Sequence, residues 1–256
     1  MKFIFLLFLL LFLGCSPTQQ EPKGVEEMSV PTDQQLEEVQ QLIVVTTEGW
    51  NTLQAVLSLY EGYEGAWTKV GESIPAVVGT AGLAWGRGEN QQRFQELEGP
   101  VKKEGDKRSP AGVFDLPLAF GYAEKASADF VDIEYVHVSS YIQCIEDISS
   151  AYYNQIVPDS LPDADWDSSD RMLRKDDLYE WGVLVGHNYP RPTPGGGSCI
   201  FLHVWRDAEH GTLGCTAMDK SFLKDLLTWL SPDRYPQLVQ MPAEYYDMLA
   251  AKEGWP

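Results

Sequence analysis

The sequence predicts a mainly β protein with a few peripheral helices. Three observations carry that expectation. Glycine is dense between short apolar runs: Gly62, Gly65, Gly71, Gly79, Gly82, Gly86 and Gly88 punctuate residues 62–88. Short apolar stretches recur along the chain, bounded by glycine and proline, as strands joined by turns would be. Only two segments of the domain read as helices, one of them with an apolar stripe at helical spacing.

The elements follow in order. Met1 and Lys2 precede an unbroken apolar run over residues 3–13, and Gly14 and Cys15 come next. One positive charge, a short apolar core and a small residue before a cut make residues 1–14 a secretory signal. The run is too short to span a hydrocarbon core of about 30 Å. Residues 15–41, with Pro17, Pro22, Gly24 and several glutamines, read as a tether ending in a short helix over 34–41. The domain proper is expected over residues 42–256. Its strands are expected at 42–46, 53–60, 74–78, 83–85, 109–116, 135–138, 178–186 and 198–205. Phe222, Leu223, Leu226, Leu227 and Leu230 form one helical stripe, with Asp219 at the N-cap position. A terminal helix is expected over 241–252, with Pro242 in its first turn. Residues 138–177 hold Pro158, Pro162 and many aspartates, and read as an insertion or helical cap laid over the sheet.

The net charge of −19 excludes nucleic acid as a partner, because that binding needs a basic footprint. The same charge offers no attraction to an anionic wall polymer, so such a substrate must be held by local contacts. Asp163, Asp165 and Asp167 alternate like the ligands of a calcium loop. Ser168 stands at the turn-glycine position and Arg174 at that of the bidentate glutamate, so a solvated acidic loop is the better reading. Cysteines occur at 15, 144, 199 and 215, none spaced as Cys-x-x-Cys. That spacing weakens both a redox motif and a zinc ribbon.

The chemistry-bearing stretch is residues 198–205. Alternation puts Ile200, Leu202 and Val204 on a core face and Cys199, Phe201, His203 and Trp205 on the other. A loop then leads to Gly214 and Cys215, and residues 216–219 feed the predicted helix. Free N–H groups at a helix N-terminus would stabilise a thiolate at Cys215 and form an oxyanion hole. A neighbouring imidazole would take the thiol proton and later protonate a leaving amine. Spacing alone does not separate such a dyad from two packed residues.

Two resemblances sharpen this. Cys15 directly after Gly14 resembles the lipobox of bacterial lipoproteins, apart from Phe12 in place of the usual leucine. It implies export, lipidation at Cys15 and membrane attachment; Ser16 favours the periplasmic face of the outer membrane. Further along, GGSCIFLH at 196–203 and GTLGCTAM at 211–218 resemble the signature of the L,D-transpeptidase (YkuD-like) catalytic domain. SPAGVF at 109–114 resembles an upstream passage of that family, and AYYN at 151–154 and RKDDLY at 174–179 resemble a divergent bacterial branch. Three ordered motifs are more specific than any one.

The resemblance implies a β-sandwich-like L,D-transpeptidase fold and thioester chemistry on peptidoglycan stem peptides, with no cofactor and no metal. Cys215 matches the nucleophile and His203 the general base. Thr212 or Leu213 would supply the group that orients the histidine. The amides of Gly214 and Cys215 would make the oxyanion hole. Trp205, Arg206, His187 and Gly197 would line the substrate cleft. Two positions depart from the family pattern: Val204 replaces a glycine, and Ala217 replaces an arginine thought to hold a substrate carboxylate. Arg206, Arg108 and Arg87 are candidate substitutes. The departures leave open an L,D-carboxypeptidase, and a catalytically inactive wall-binding lipoprotein on the same scaffold. A general cysteine peptidase or amidase would use the same dyad on other peptides.

With Cys15 assigned to lipid and Cys215 to the nucleophile, Cys144 and Cys199 remain. A disulfide between them would join the insertion to the strand of His203 and contribute about 2–4 kcal/mol. His187 either lines the cleft or is a strand-end histidine bonded to backbone. His210 is expected to be exposed, and His137 to sit in a strand without a partner. His187, His203, His210 and Cys215 match no zinc-ligand spacing. Gly195, Gly196 and Gly197 precede a strand and lack a following Lys-Ser/Thr, which fits a flexible turn rather than a phosphate loop.

Overall fold

Four consecutive aliphatic residues, Leu42, Ile43, Val44 and Val45, place a strand where both faces are covered. In the computed structural model they form β1 (Gln41–Thr47), almost wholly buried. The structure describes residues 40–89, 94 and 96–256, all within the unit Pro31–Pro256. The expected signal, Cys15 and nearly all of the tether lie outside the described residues.

β1 pairs antiparallel with β2 (Gln54–Tyr63), which continues through a hairpin into β3 (Ala66–Val77). In β2 alternate residues Ala55, Leu57 and Leu59 are buried, the period of a half-covered strand. The remaining strands of the large sheet are β4 (Leu83–Trp85), β5 (Ser109–Asp115), β6 (Ala119–Gly121), β7 (Tyr135–His137), β11 (Trp181–Leu184), β12 (Phe201–Val204), β13 (Thr216–Met218) and β14 (Gln237–Pro242). They make one eleven-stranded mixed sheet in the order β4-β5-β14-β1-β2-β3-β13-β12-β11-β6-β7. The protein is therefore mainly β, as expected.

Several boundaries differ from the sequence reading. Residues 138–177 contain no helix. They hold an antiparallel sheet in the order β10-β8-β9, from β8 (Ile142–Ile145), β9 (Ile156–Pro158) and β10 (Ser169–Arg171). Its short strands and intervening Asp-rich turns carry no long periodic stretch for a pattern argument to detect. The helix after Asp219 is α1 (Lys220–Trp229), and the Asp219 carboxylate accepts from the Ser221 amide at 2.8 Å. The terminal helix is α2 (Ala243–Glu253); Met241 and Pro242 belong instead to β14, and Pro242 is the N-cap rather than part of the first turn. β14 lies parallel to β1 from Leu42↔Gln237 to Thr47↔Pro242, so main-chain pairing overrides helix start there.

The large sheet is covered on two faces. On one, Ile200, Leu202, Val204, Val183 and Met218 join Leu223, Leu226 and Leu227 of α1 in the main core. On the other, Phe120, Leu184, Cys199, Phe201, Tyr179 and Cys215 form a second cluster with Cys144 and Met172 from the small-sheet segment. The alternation read from residues 198–205 is thus the division between the two cores. Cys144 and Cys199 are bonded, 5.9 Å apart at Cα, and tie β8 to the segment entering β12.

Glu89 and Asp115 form a carboxyl pair away from β12. Burial first, then the Asp115 charge, pushes the Glu89 carboxyl up to about 7, and Glu89 shares a hydrogen bond with Asp115. A folded value raised above the unfolded one gives stability that is present below about 4.5 and lost as pH rises through about 7. Glu89→Gln is therefore expected to raise stability at pH 8 by about 1–2 kcal/mol, discounted for partial exposure, with little gain at pH 4. Thermal melts at both pH values check it, and an equal shift at the two would contradict the linkage.

Candidate active site

His203 is held in the sheet between β11 and β13, opposite Gly182 on one side and Ala217 on the other. These small neighbours leave room for rings above the strand. A Cβ at Gly182 would meet the Phe120 ring at 2.3 Å. Tyr179 lies edge-on to His203, with ring centroids 5.2 Å apart, and to Phe201 and Phe120. His203 is 6% exposed. Its Nδ1 is 2.7 Å from the Val204 carbonyl oxygen. A carbonyl only accepts, so Nδ1 carries the hydrogen and Nε2 is left as the basic nitrogen. Burial lowers the imidazole to about 4, against the favourable carbonyl of Val204.

The Val204 contact corrects one expectation. The group that orients His203 is the carbonyl of its own successor, not Thr212 or Leu213. Thr212 Oγ1 instead donates to the Cys215 carbonyl at 2.5 Å and accepts from the Gly214 amide at 3.1 Å. The Gly214 N–H is thereby occupied, which removes it from the expected oxyanion hole in this arrangement. Leu213 is 78% exposed at the surface beside the site.

Cys215 sits at the entry to β13, where the next pair is Leu202↔Thr216. Its Sγ accepts from the Phe201 amide at 3.4 Å and donates to the Cys199 carbonyl at 3.5 Å. Ser109 Oγ donates to the Cys215 carbonyl at 2.6 Å while accepting from the Gly79 amide at 2.8 Å. Two hydroxyls thus anchor the main chain at Cys215. Ser109 was legible only as a turn-to-strand residue, since its partners are far away in sequence.

A second expectation is also corrected. β13 stands between Cys215 and α1, and Asp219 already caps the helix, so the helix N-terminus does not reach the thiol. Burial pushes the thiol up to about 12, with the Phe201 amide acting weakly against it. The resting pair is a neutral thiol and a neutral imidazole. Cys215 directly precedes β13, which runs parallel to β12, and a period of two puts its side chain on the face of Ala217, the register partner of His203. In this arrangement Sγ is engaged by the Phe201 amide and the Cys199 carbonyl and the imidazole by the Val204 carbonyl, so the two side chains must turn toward each other to act as a dyad.

The other expected cleft residues divide. His187 is 1% exposed, accepts from the Arg87 amide at 3.1 Å through Nδ1, and bonds the Gly196 carbonyl at 3.0 Å through Nε2. Both ring nitrogens are used by backbone, and burial lowers the ring to about 3. Gly197 is buried rather than open to a substrate: a Cβ there would meet His187 Nε2 at 2.9 Å and Lys102 Cε at 3.2 Å. Trp205 is half-buried beside β13, donating its amide to the Met218 carbonyl at 2.8 Å. Arg206 is exposed. Arg108 is spent on the carbonyls of Trp50 and Leu83 and on Asn51. The Arg87 Nε packs against Gly196, where a Cβ would approach it to 2.9 Å. Ala217 is fully buried, so that position has no space for an arginine. His210 is exposed and bonded to Asp207 at 2.7 Å, and His137 is exposed in β7. Among the described residues no group of three or more His, Cys, Asp or Glu is arranged to hold a metal.

One cation near His203 was not singled out as a site residue. Arg174 lies 4.9 Å over the Tyr179 ring and pairs in two places with Asp176, at 2.8 and 2.7 Å. Tyr179 donates to Asp170 at 2.7 Å, and burial raises the Asp170 carboxyl. RKDDLY marked this stretch in the sequence, but only the fold brings it onto His203. No protein-family model matches the chain, and no curated protein or solved structure matches it.

Proposed function

We propose that the protein is a cysteine acyltransferase of the L,D-transpeptidase kind, working on peptidoglycan stem peptides through Cys215 and His203. The supporting observation is that both side chains are buried, with Cys215 at the entry to the strand that pairs with that of His203 and the imidazole tautomer set by the Val204 carbonyl. The mainly β architecture is compatible with that family's fold.

In this reading substrate entry turns the thiol from the Cys199 carbonyl toward His203. Nε2 takes the thiol proton as sulfur attacks the amide carbon. The C–N bond breaks, the imidazolium gives its proton to the departing amine, and a thioester remains on Cys215. An incoming amine, deprotonated by His203, releases the acyl group and regenerates the thiol. With the Gly214 amide bound to Thr212, oxyanion stabilisation requires this turn to open or other donors to serve.

The test is the intact mass of the full-length chain after exposure to a carbapenem, beside Cys215→Ala. A stoichiometric adduct lost in the variant is expected. No adduct on folded protein with a free Cys215 thiol would sink the reading and favour a non-catalytic wall-binding role. Hydrolysis is the second reading, favoured by the burial of Ala217 and the engagement of Arg108, which remove two of the positions that could hold a substrate carboxylate. Product analysis with and without an added amine separates transfer from hydrolysis.

A further inference from the structure

His203 meets the Val204 carbonyl and, less strongly, the Leu178 carbonyl, which set its protonation pattern and leave the tilt of the ring to be completed by packing. That packing comes from Tyr179, and Tyr179 is itself held from outside the large sheet. Its ring is 6% exposed and meets His203, Phe201 and Phe120 edge-on. Its hydroxyl donates to Asp170 Oδ2 at 2.7 Å. Asp170 is on β10 and is the register partner of Cys144 on β8. Cys144 is bonded to Cys199, four residues before His203. A closed circuit therefore runs from His203 through Tyr179, Asp170, β8 and the disulfide back to the strand of His203.

We propose that Tyr179 and Asp170 are positioning residues, whose O–H···carboxylate bond holds the His203 ring in the orientation that serves Cys215. The proposal rests on the acyltransferase reading of the same site. Its physical content is that ring and carboxylate act as one unit. The Tyr179 ring alone, without its anchor, is free to tilt in the aromatic cluster. An imidazole tilted with it presents Nε2 away from the thiol, and misplacement of about 1 Å is enough to lower a rate about 100-fold. Arg174 lies over the Tyr179 ring at 4.9 Å and, paired with Asp176 at 2.7 Å, approaches Asp170 only to 3.8 Å.

The test is a double-mutant cycle on the full-length chain, read as the first-order rate of carbapenem acylation at saturation. Tyr179→Phe and Asp170→Ala are each expected to slow acylation about 10- to 30-fold, the weight of one hydrogen bond to a charged group. The double variant is expected to be no slower than either single. Asp170→Asn, whose amide oxygen still accepts from tyrosine, should recover most of the rate lost in Asp170→Ala. The carbapenem concentration giving half-saturation should stay unchanged, since positioning acts on the step and not on binding. Rates for Tyr179→Phe and Asp170→Ala within about twofold of wild type, or losses that multiply in the double variant, would overturn the proposal. Tyr179→Phe keeps the packing ring, so it decides the matter even if Asp170→Ala melts early. Iodoacetamide alkylation of Cys215 in the same variants separates the two ideas. If wild type forms no carbapenem adduct, the acyltransferase reading fails, and the alkylation rates still decide whether Tyr179 and Asp170 govern Cys215 through His203.

Discussion

His203→Gln is expected to leave Cys215 in place and lower its acylation rate by about 10²–10⁴-fold, the usual weight of a general base. The size follows from the state of the thiol. Burial holds Cys215 up at about 12, so an isolated thiol here is protonated throughout the neutral range. No helix N-terminus compensates, because β13 lies between Cys215 and α1. Proton removal must therefore come from a base delivered to the thiol, and His203 is the buried imidazole on the same face. Burial lowers it to about 4, so it is neutral in the neutral range but a weak base, and the transfer needs substrate binding to bring the thiol and imidazole values together. Glutamine retains a polar side chain that can donate to the Val204 carbonyl, so the fold should survive. Single-turnover acylation followed by mass, beside a thermal melt, measures both. A loss of less than about threefold with an unchanged melt would show that His203 is a packed residue and not the base.

The second large effect concerns stability. Replacing Cys144 and Cys199 together by alanine is expected to destabilise the protein by about 2–4 kcal/mol through the unfolded state. For a domain of this size that lowers the melting temperature by roughly 5–15 °C. The disulfide carries more than loop closure. β8 is the central strand of the small sheet, and the disulfide is its covalent link to the large one. Hydrogen bonds supplement it: Asn154 bonds the carbonyls of His187 and Asn188 and the amide of Cys199, and the Tyr153 hydroxyl bonds the Gly197 amide and Glu104. These should keep the variant folded at room temperature. Alanine at both positions avoids exchange with the Cys215 thiol, which lies in the same apolar cluster. Denaturant titration checks the magnitude, and a midpoint shift equivalent to less than about 0.5 kcal/mol would show that the hydrogen bonds alone suffice.

Residues 198–205 illustrate how far a local pattern reaches. Alternation in that stretch assigned Ile200, Leu202 and Val204 to the main core and Phe201 and His203 to the opposite face, and both assignments hold in the fold. A strand's period of two is a property of the backbone, so it survives any tertiary arrangement. The helix after Asp219 was legible for the same reason: the cap and the apolar stripe are both local. The expected pairing of Cys144 with Cys199 is likewise present.

Other expectations failed where the deciding partner was remote. The Cys215 loop read as a helix entrance because strand β13 is only three residues long, too short to show a period. It exists because β12 and β3 offer main-chain partners on either side. The resemblance implied Thr212 or Leu213 as the histidine's orienting group, yet Nδ1 is bonded to the Val204 carbonyl and the Thr212 hydroxyl to the Cys215 carbonyl. His187 and Gly197 lie near His203 in sequence but turn into a hydrogen-bonded loop core with Lys102, whose ammonium is 3% exposed and paired with Asp106 at 2.7 Å.

The sequence by itself determined the mainly β class, the two faces of the His203 strand and the capped helix. Each of these depends on spacing within a few residues or on the chemistry of a single side chain. Only the tertiary structure decided what surrounds Cys215 and His203: the Val204 carbonyl on the imidazole, the Ser109 and Thr212 hydroxyls on the Cys215 backbone, and the Tyr179–Asp170 bond brought in by the small sheet. The Val204 and Thr212 contacts are local but depend on backbone shape that no side-chain pattern reveals, while the Ser109 and Asp170 contacts are set by how separate segments come together, a relation that no single segment encodes.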